Sequence, residues 1–285
     1  MHERVHQPAP QSPDRPDTVF ALVAGLYAAL LLSPAVVFAA AVAYPLGAGA
    51  LYIALLAVLT AITTAGTVAV GRVRGVVERI GASRVARGLA VLPVLGMVGY
   101  GVAAASVDAP GTDGVVAAGI VLSGVGIATG MALVAMSRTR YARAVVEDES
   151  VRAEWKAGWP QPRRMRIQIG AVTLYLAGAA LLFGGEFVGL GAYEWIGALA
   201  FVPGGAGLGW GQPRAYRLAP AGIERSNYVH RRLYEWDGFA SVSVSEDAVV
   251  LYRESWWRPA FRCWREEIDD PDALIDALDD HLPRA

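Results

Sequence analysis

Six stretches of this sequence, each of bilayer length and apolar throughout its interior, lie between Thr18 and Gly211 and decide what the chain can become. A helix rising about 1.5 Å per residue needs about 20 apolar residues to cross a hydrocarbon core of about 30 Å. The stretches run Thr18 to Ala43, Leu46 to Val70, Gly88 to Val107, Gly114 to Ser137, Ile167 to Phe183 and Leu190 to Gly211. Their interiors carry no Asp, Glu, Lys, Arg or His, and Asp108, Glu186 and Glu194 fall near the outer ends, where they read as loop charges. Buried helices of soluble proteins imitate spans only at about 10–14 residues. Repetition at the greater length selects an α-helical polytopic membrane protein. The first stretch is too long, and starts too late, for a secretory leader.

Orientation follows from the arginines, because short loops rich in Lys and Arg stay in the cytoplasm. Arg72, Arg74, Arg79, Arg84 and Arg87 follow the second stretch, whereas Arg138, Arg140, Arg143, Arg152, Lys156, Arg163, Arg164 and Arg166 follow the fourth. The connections around Tyr44-Pro45, Asp108 to Asp113 and Gly184 to Gly189 have no basic residue. A plasma-membrane protein with both termini cytoplasmic is expected. Its parts are a disordered segment 1–17, a four-helix membrane region 18–137, a cytoplasmic loop 138–166, a membrane hairpin 167–211 and a soluble segment 212–285.

The membrane part argues against ion or proton coupling, since pumps and coupled transporters keep ionisable groups at mid-membrane despite a cost of about 2.5–3.5 kcal/mol. Small residues four apart let helix backbones approach. Gly126 and Gly130 in the fourth stretch, and Gly205 and Gly209 in the sixth, are the candidate packing positions, within the chain or between copies of it. Pro34, Pro93 and Pro203 invite kinks. In the loop, Tyr141 to Lys156 reads as a helix. Trp155 and Trp159 suit a membrane interface, and Arg163, Arg164 and Arg166 suit anionic lipid at about 1 kcal/mol per charge.

From Ala215 the pattern changes to short strands. Ala215 to Leu218 and Ile223 to Ser226 flank the turn Ala219-Pro220-Ala221-Gly222. Ala240 to Ser245 alternates strictly, so Val242 and Val244 share one face. Val249 to Arg253 and Phe261 to Glu266 continue the series. A terminal helix is written out, with Asp270 as cap, Pro271 at its first position and Asp272 at the positive end of its dipole. Leu274, Ile275, Leu278 and Leu282 form its apolar stripe.

Tyr216-Arg217-Leu218 with Ala221-Gly222-Ile223, the corner Tyr234 to Phe239, the Val242 to Leu251 hairpin and the closing Asp270-Pro271 helix together resemble the pleckstrin-homology-like domains of small bacterial and archaeal membrane proteins. The resemblance covers about a quarter of the chain. Residues 212–285 are short by one or two strands for the seven-stranded barrel of that family. It implies binding or assembly rather than catalysis: membrane lipids, a membrane-protein partner or a second copy as partners, with no nucleic acid. Arg225, His230, Arg231 and Arg232 occupy the place where the family holds anionic ligands. Trp256 and Trp257, among Arg253, Arg258, Arg262 and Arg265, are further candidates for the membrane surface. No HExxH, phosphate loop or paired cysteines appear, and the single Cys263 lacks the companions of a zinc site. No cofactor or metal is expected. The chain is read as a non-enzymatic scaffold or accessory subunit, or as a passive permease with a regulatory tail.

Overall fold

In the computed structural model, which describes residues 17–44, 46–83, 85–107, 112–146, 151–227 and 230–284, the chain forms two compact units, residues 1–147 with 229–233 and residues 148–228 with 234–285. The expectations for the first 16 residues, Arg84 and Asp108 lie outside the described residues.

The first unit contains α1 (Thr18–Ala43), α2 (Ala48–Arg72), the short α3 (Val76–Ala82), α4 (Val85–Ser106) and α5 (Thr112–Val145). Asp17 caps α1, its carboxylate accepting from the Phe20 N–H at 3.1 Å, which satisfies one of the amides that a helix start leaves unpaired. At 34 residues, α5 is about 51 Å long, so it continues well beyond one bilayer thickness. The expected helix over 141–156 is corrected: α5 ends at Val145, and Ala153–Ala157 is a strand. Large apolar side chains on these helices, Leu22, Val36, Ile53, Leu95, Val98, Val121 and Met131 among them, are exposed. A lipid-facing surface requires that, because hydrocarbon is as apolar as leucine.

The second unit opens with β1 (Ala153–Ala157), continues through α6 (Gln161–Gly184) and α7 (Glu194–Gly207), and then lays down β2 (Arg214–Ala219), β3 (Gly222–Ser226), the end of β4 (Arg231–Glu235), whose first three residues count with the first unit, β5 (Phe239–Val244), β6 (Ala248–Arg253), β7 (Phe261–Trp264) and α8 (Pro271–Asp279). Strands β1-β2-β3-β4 make one sheet and β5-β6-β7 another. β1 runs antiparallel to β2 with Trp155 opposite Tyr216, and β2 runs antiparallel to β3 with Leu218 opposite Ile223. The strands adjoining α6 and α7 are therefore neighbours in one sheet.

One core joins both sheets and the last helix: Trp155, Tyr216, Leu218, Ile223, Phe239, Val242, Leu251, Phe261, Leu274, Ile275, Leu278 and Leu282 all belong to it. The expected strands of the last 74 residues are observed, as is the expected turn, where Gly222 has φ of 147° and a Cβ would meet Glu235 Cα at 2.9 Å. The Asp270 carboxylate accepts from the Ala273 N–H at 3.0 Å, with Pro271 at the helix start. Asp270→Ala should cost about 0.5–2 kcal/mol, read as a lowered urea midpoint with α8 otherwise retained.

Five helices among the described residues are long and apolar enough to cross a membrane: α1, α2, residues 88–106 of α4, α5 and α6. The sixth stretch is shorter than expected. Two three-residue 3-10 turns occupy Glu186–Val188 and Gly191–Tyr193, and α7 itself has 14 residues, about 21 Å. Glycines in the left-handed conformation bound the stretch, Gly189 with φ of 76° just before it and Gly211 with φ of 74° at its end, a conformation other residues resist.

Candidate functional site

The helix-packing positions sort cleanly. Gly126 and Gly130 are buried against α4 within the chain: a Cβ at Gly126 would meet Pro93 Cβ at 3.3 Å, and one at Gly130 would collide with the Leu89 carbonyl. The same carbonyl accepts from Tyr27 Oη at 2.6 Å, so α1, α4 and α5 meet at one level. On the hairpin, a Cβ at Gly205 would make ordinary contact with the Tyr175 ring at 3.5 Å, and one at Gly209 would find nothing nearer than 4.0 Å. The close approach runs through Gly178, Gly197 and Gly204 instead, because a helix surface repeats every three to four residues and selects one of two overlapping glycine series.

The chemically distinctive part of the second unit is the inward face of the four-stranded sheet. Side chains alternate along a strand, so Trp155 and Ala157 of β1, Arg214, Tyr216 and Leu218 of β2, and Ile223 and Arg225 of β3 share that face, given their register. Trp155 stacks on Tyr216 with ring centroids 5.2 Å apart and planes 9° apart. Arg225 stands opposite Tyr216. Its Nη2 donates to Tyr234 Oη at 2.9 Å, and its Cζ lies 4.7 Å from the Phe261 ring and 5.2 Å from the Tyr234 ring. Arg253 approaches from the other sheet, its Cζ 4.6 Å from Phe239 and 4.8 Å from Tyr234. Ring faces attract guanidinium charge, more so as water is removed. Burial first, and the neighbouring Arg225 charge second, hold the Arg214 guanidinium below its ordinary pKa.

Cys263 lies in the same core, and burial pushes its thiol up to about 11. The native thiol at pH 8 should react with a disulfide reagent far more slowly than in the unfolded chain, because the thiolate is the nucleophile and burial both disfavours it and blocks access. Folding retains this proton, so stability is full below the unfolded pKa near 9.0 and falls as pH climbs through about 11.

Where the strands join the hairpin, Trp159 N–H donates to the Gly211 carbonyl at 3.1 Å, and Trp264 N–H to the Gly158 carbonyl at 2.9 Å. Glu267 accepts from the Gly158 N–H and pairs with Arg164 at 3.2 Å. Trp159 is half-buried, and Arg163 and Arg166 are exposed on the first turns of α6. Trp155 leaves the membrane-surface group: it is 6% exposed, in the core, because the strand turns its ring inward. Trp256 and Trp257 are 94% and 63% exposed on the loop between β6 and β7, with Arg258 4.9 Å from the Trp257 ring. His230 precedes β4, Arg231 and Arg232 are its first two residues, and all three are half-buried. Arg231 belongs with the first unit, where its N–H donates to Thr139 Oγ1 at 3.1 Å.

Sequence reading missed Arg214 and the ladder Glu154, Arg217 and Glu224, whose members stand opposite one another across β1, β2 and β3. Alternating sign across strands appears only once the register is known. It also missed a cavity of about 330 Å³ in the first unit, lined by Asp17, Phe20, Arg74, Glu78 and Arg140, where Arg140 pairs with Asp17 at 2.9 Å. No group of three or more His, Cys, Asp and Glu among the described residues is placed to hold a metal.

No family model matches the chain, and no curated protein or solved structure matches it either.

Proposed function

We propose that this chain is a six-span plasma-membrane scaffold or accessory subunit without chemistry of its own, whose pleckstrin-like β unit works at the cytoplasmic face by assembling a partner or contacting the inner leaflet. One observation carries this reading. β1 and β2, which precede and follow the α6–α7 hairpin, are adjacent strands of one sheet. Both ends of the hairpin therefore lie on one side of the bilayer. Since α6 has the length and apolarity to cross, α7 has to bring the chain back, with the apolar turns at Leu190–Tyr193 and 208–211 extending its reach. Arg163, Arg164 and Arg166 at the hairpin base assign that side to the cytoplasm.

The same arrangement supports the pleckstrin-like reading. Four strands in one sheet, three in the other and a closing helix make the complement of seven. The strand that the last 74 residues lack comes from before the hairpin. A β unit interrupted by a membrane hairpin is stapled to the bilayer surface, which suits recruitment and assembly rather than diffusion to a soluble target.

Single cysteines test the topology. One replacing Phe187, 91% exposed at the hairpin tip, should label from the outside of sealed cells, and one replacing Glu154 only after permeabilisation. Labelling of both from one side would contradict six crossings. For the function itself, the tagged protein is extracted in mild detergent and its companions are identified by mass spectrometry. A stoichiometric membrane-protein partner or a homo-oligomer is expected. A lone monomer that conducts solute in proteoliposomes would replace this reading with the passive permease.

A further inference from the structure

We propose that the cavity of the first unit is a binding site for a small zwitterion, an amino acid with an apolar side chain, whose ammonium pairs with Glu78 and whose carboxylate pairs with Arg74.

The cavity measures about 330 Å³ and has two acids and two bases in its lining, Asp17, Glu78, Arg74 and Arg140. One pair is already made. Asp17 accepts from the Phe20 N–H through Oδ1 and meets Arg140 through Oδ2 at 2.9 Å, so both of its oxygens are committed. Glu78 differs. The residue is only 5% exposed, yet among the described residues no hydrogen bond or ion pair reaches its carboxylate. Glutamate is almost never buried to that degree without a partner, because taking an ionised carboxylate out of water is costly. A cation brought by a ligand would offset that cost.

The carboxylate is also held in place. Its neighbour Val77 packs with Phe20, Tyr27 and Leu133, and Gly81 of the same helix, α3, lies so near α5 that a Cβ there would collide with the Ser137 carbonyl. A group on so fixed a helix is oriented before any ligand arrives, which lowers the cost of binding.

The rest of the lining selects the ligand. Hard divalent metals take six or more oxygens, whereas this lining offers one uncommitted carboxylate and two guanidiniums that repel a metal charge. Apolar side chains, Phe20, Val70 and Val76 among them, form much of the wall, so the cation carries hydrocarbon. Arg74 then decides the class. It is exposed on the open side of the cavity, and among the described residues no carboxylate pairs with it. A simple amine would meet its repulsion, but a ligand with an acid group beside the ammonium would use it. With Asp17 and Arg140 cancelling, one charge of each sign is left, and a zwitterion of zero net charge matches both. Small-molecule sites run from about 300 to 1,000 Å³, so this one suits a single amino acid rather than a peptide.

The test is calorimetric titration of the full-length protein in a neutral detergent with millimolar L-alanine, L-valine, L-leucine, L-methionine and L-phenylalanine in turn. At least one should bind saturably, one molecule per chain. Glu78→Gln removes an unpaired charge, so it should keep or exceed the wild-type thermal midpoint while weakening that binding by about 10–100-fold. Arg74→Gln, an exposed change that leaves the fold intact, should weaken it about tenfold. Arg79→Gln, exposed on the same helix and outside the lining, should leave it unchanged. The amide of the bound amino acid, which lacks the carboxylate, should bind the wild type about as weakly as the amino acid binds Arg74→Gln. The corresponding acid without its amino group should not bind. Absence of binding by all five, undiminished affinity in Glu78→Gln, an equal loss in Arg79→Gln, or an amide that binds as tightly as its amino acid overturns the proposal. So does a response to phosphatidylethanolamine alone, whose headgroup also joins an ammonium to an acid group.

Discussion

Trp155→Ala should destabilise the β unit by about 3–5 kcal/mol, the range for deleting a large aromatic side chain from a core. A whole domain is worth about 5–15 kcal/mol, so the variant should be largely unfolded under mild stress. The effect is large because Trp155 is 6% exposed, lies flat against Tyr216 and stands opposite it in register. The residue lies 57 positions before the segment that reads as a soluble domain, residues 212–285. Limited proteolysis of the full chain in detergent checks the prediction. The wild type should yield a resistant C-terminal core held to the hairpin, and Trp155→Ala should lose the resistance of residues 212–285. Trp155→Phe should retain most of it, because a smaller ring keeps the stack. Unchanged resistance in the alanine variant would mean that β1 is dispensable, and the argument for two hairpin ends on one side would go with it.

Gly178→Ile should separate α6 from α7. A Cβ at Gly178 would collide with the Phe201 N and lie 2.8 Å from the Gly197 carbonyl oxygen, and both obstacles are backbone. Flexible side chains yield cheaply to an added methyl group, whereas a helix backbone yields only if the whole helix moves. Overpacking costs about 1–3 kcal/mol, occasionally more, and this position belongs at the upper end. The consequence should reach beyond the membrane, since the spacing of the helix ends sets whether β1 can meet β2. The expected result is a lowered thermal midpoint and enhanced proteolysis of the β unit together. Gly209→Ala, with no neighbour nearer than 4.0 Å, should change neither. Membrane-hairpin disruption with a fully protected β unit would show the two to be uncoupled.

Much of this was legible locally. The long apolar stretches became helices, the alternation of Ala240 to Ser245 became β5, and the Asp270-Pro271 start became α8 with its cap formed. Each depends on a period or a cap, which neighbouring residues specify without help from the rest of the chain. The candidate site was less legible. Arg225 stood out as a charge beside a loop, but its inward orientation, and Arg214 as its neighbour, follow from the pairing of β2 with β3. Helix α7 came out short, since a 3-10 turn over Gly191–Tyr193 precedes it and the helix ends at Gly207.

The strand β1 marks the boundary most sharply. Ala153-Glu154-Trp155-Lys156-Ala157 alternates apolar and polar residues, which is a strand period, yet four of its five residues are Ala, Glu or Lys, among the stronger helix formers. Over so short a segment neither signal prevails. By itself the sequence determined that the chain forms several helices long and apolar enough to cross a membrane, and where most of its helices and strands begin and end, because those properties are sums over adjacent residues. Only the tertiary structure decided that β1 belongs with β2, that the α6–α7 helical hairpin interrupts the β unit, and that Arg214 and Arg225 share one face. Those depend on side chains that meet across a long excursion of chain, where partner and register are chosen by burial in a common core.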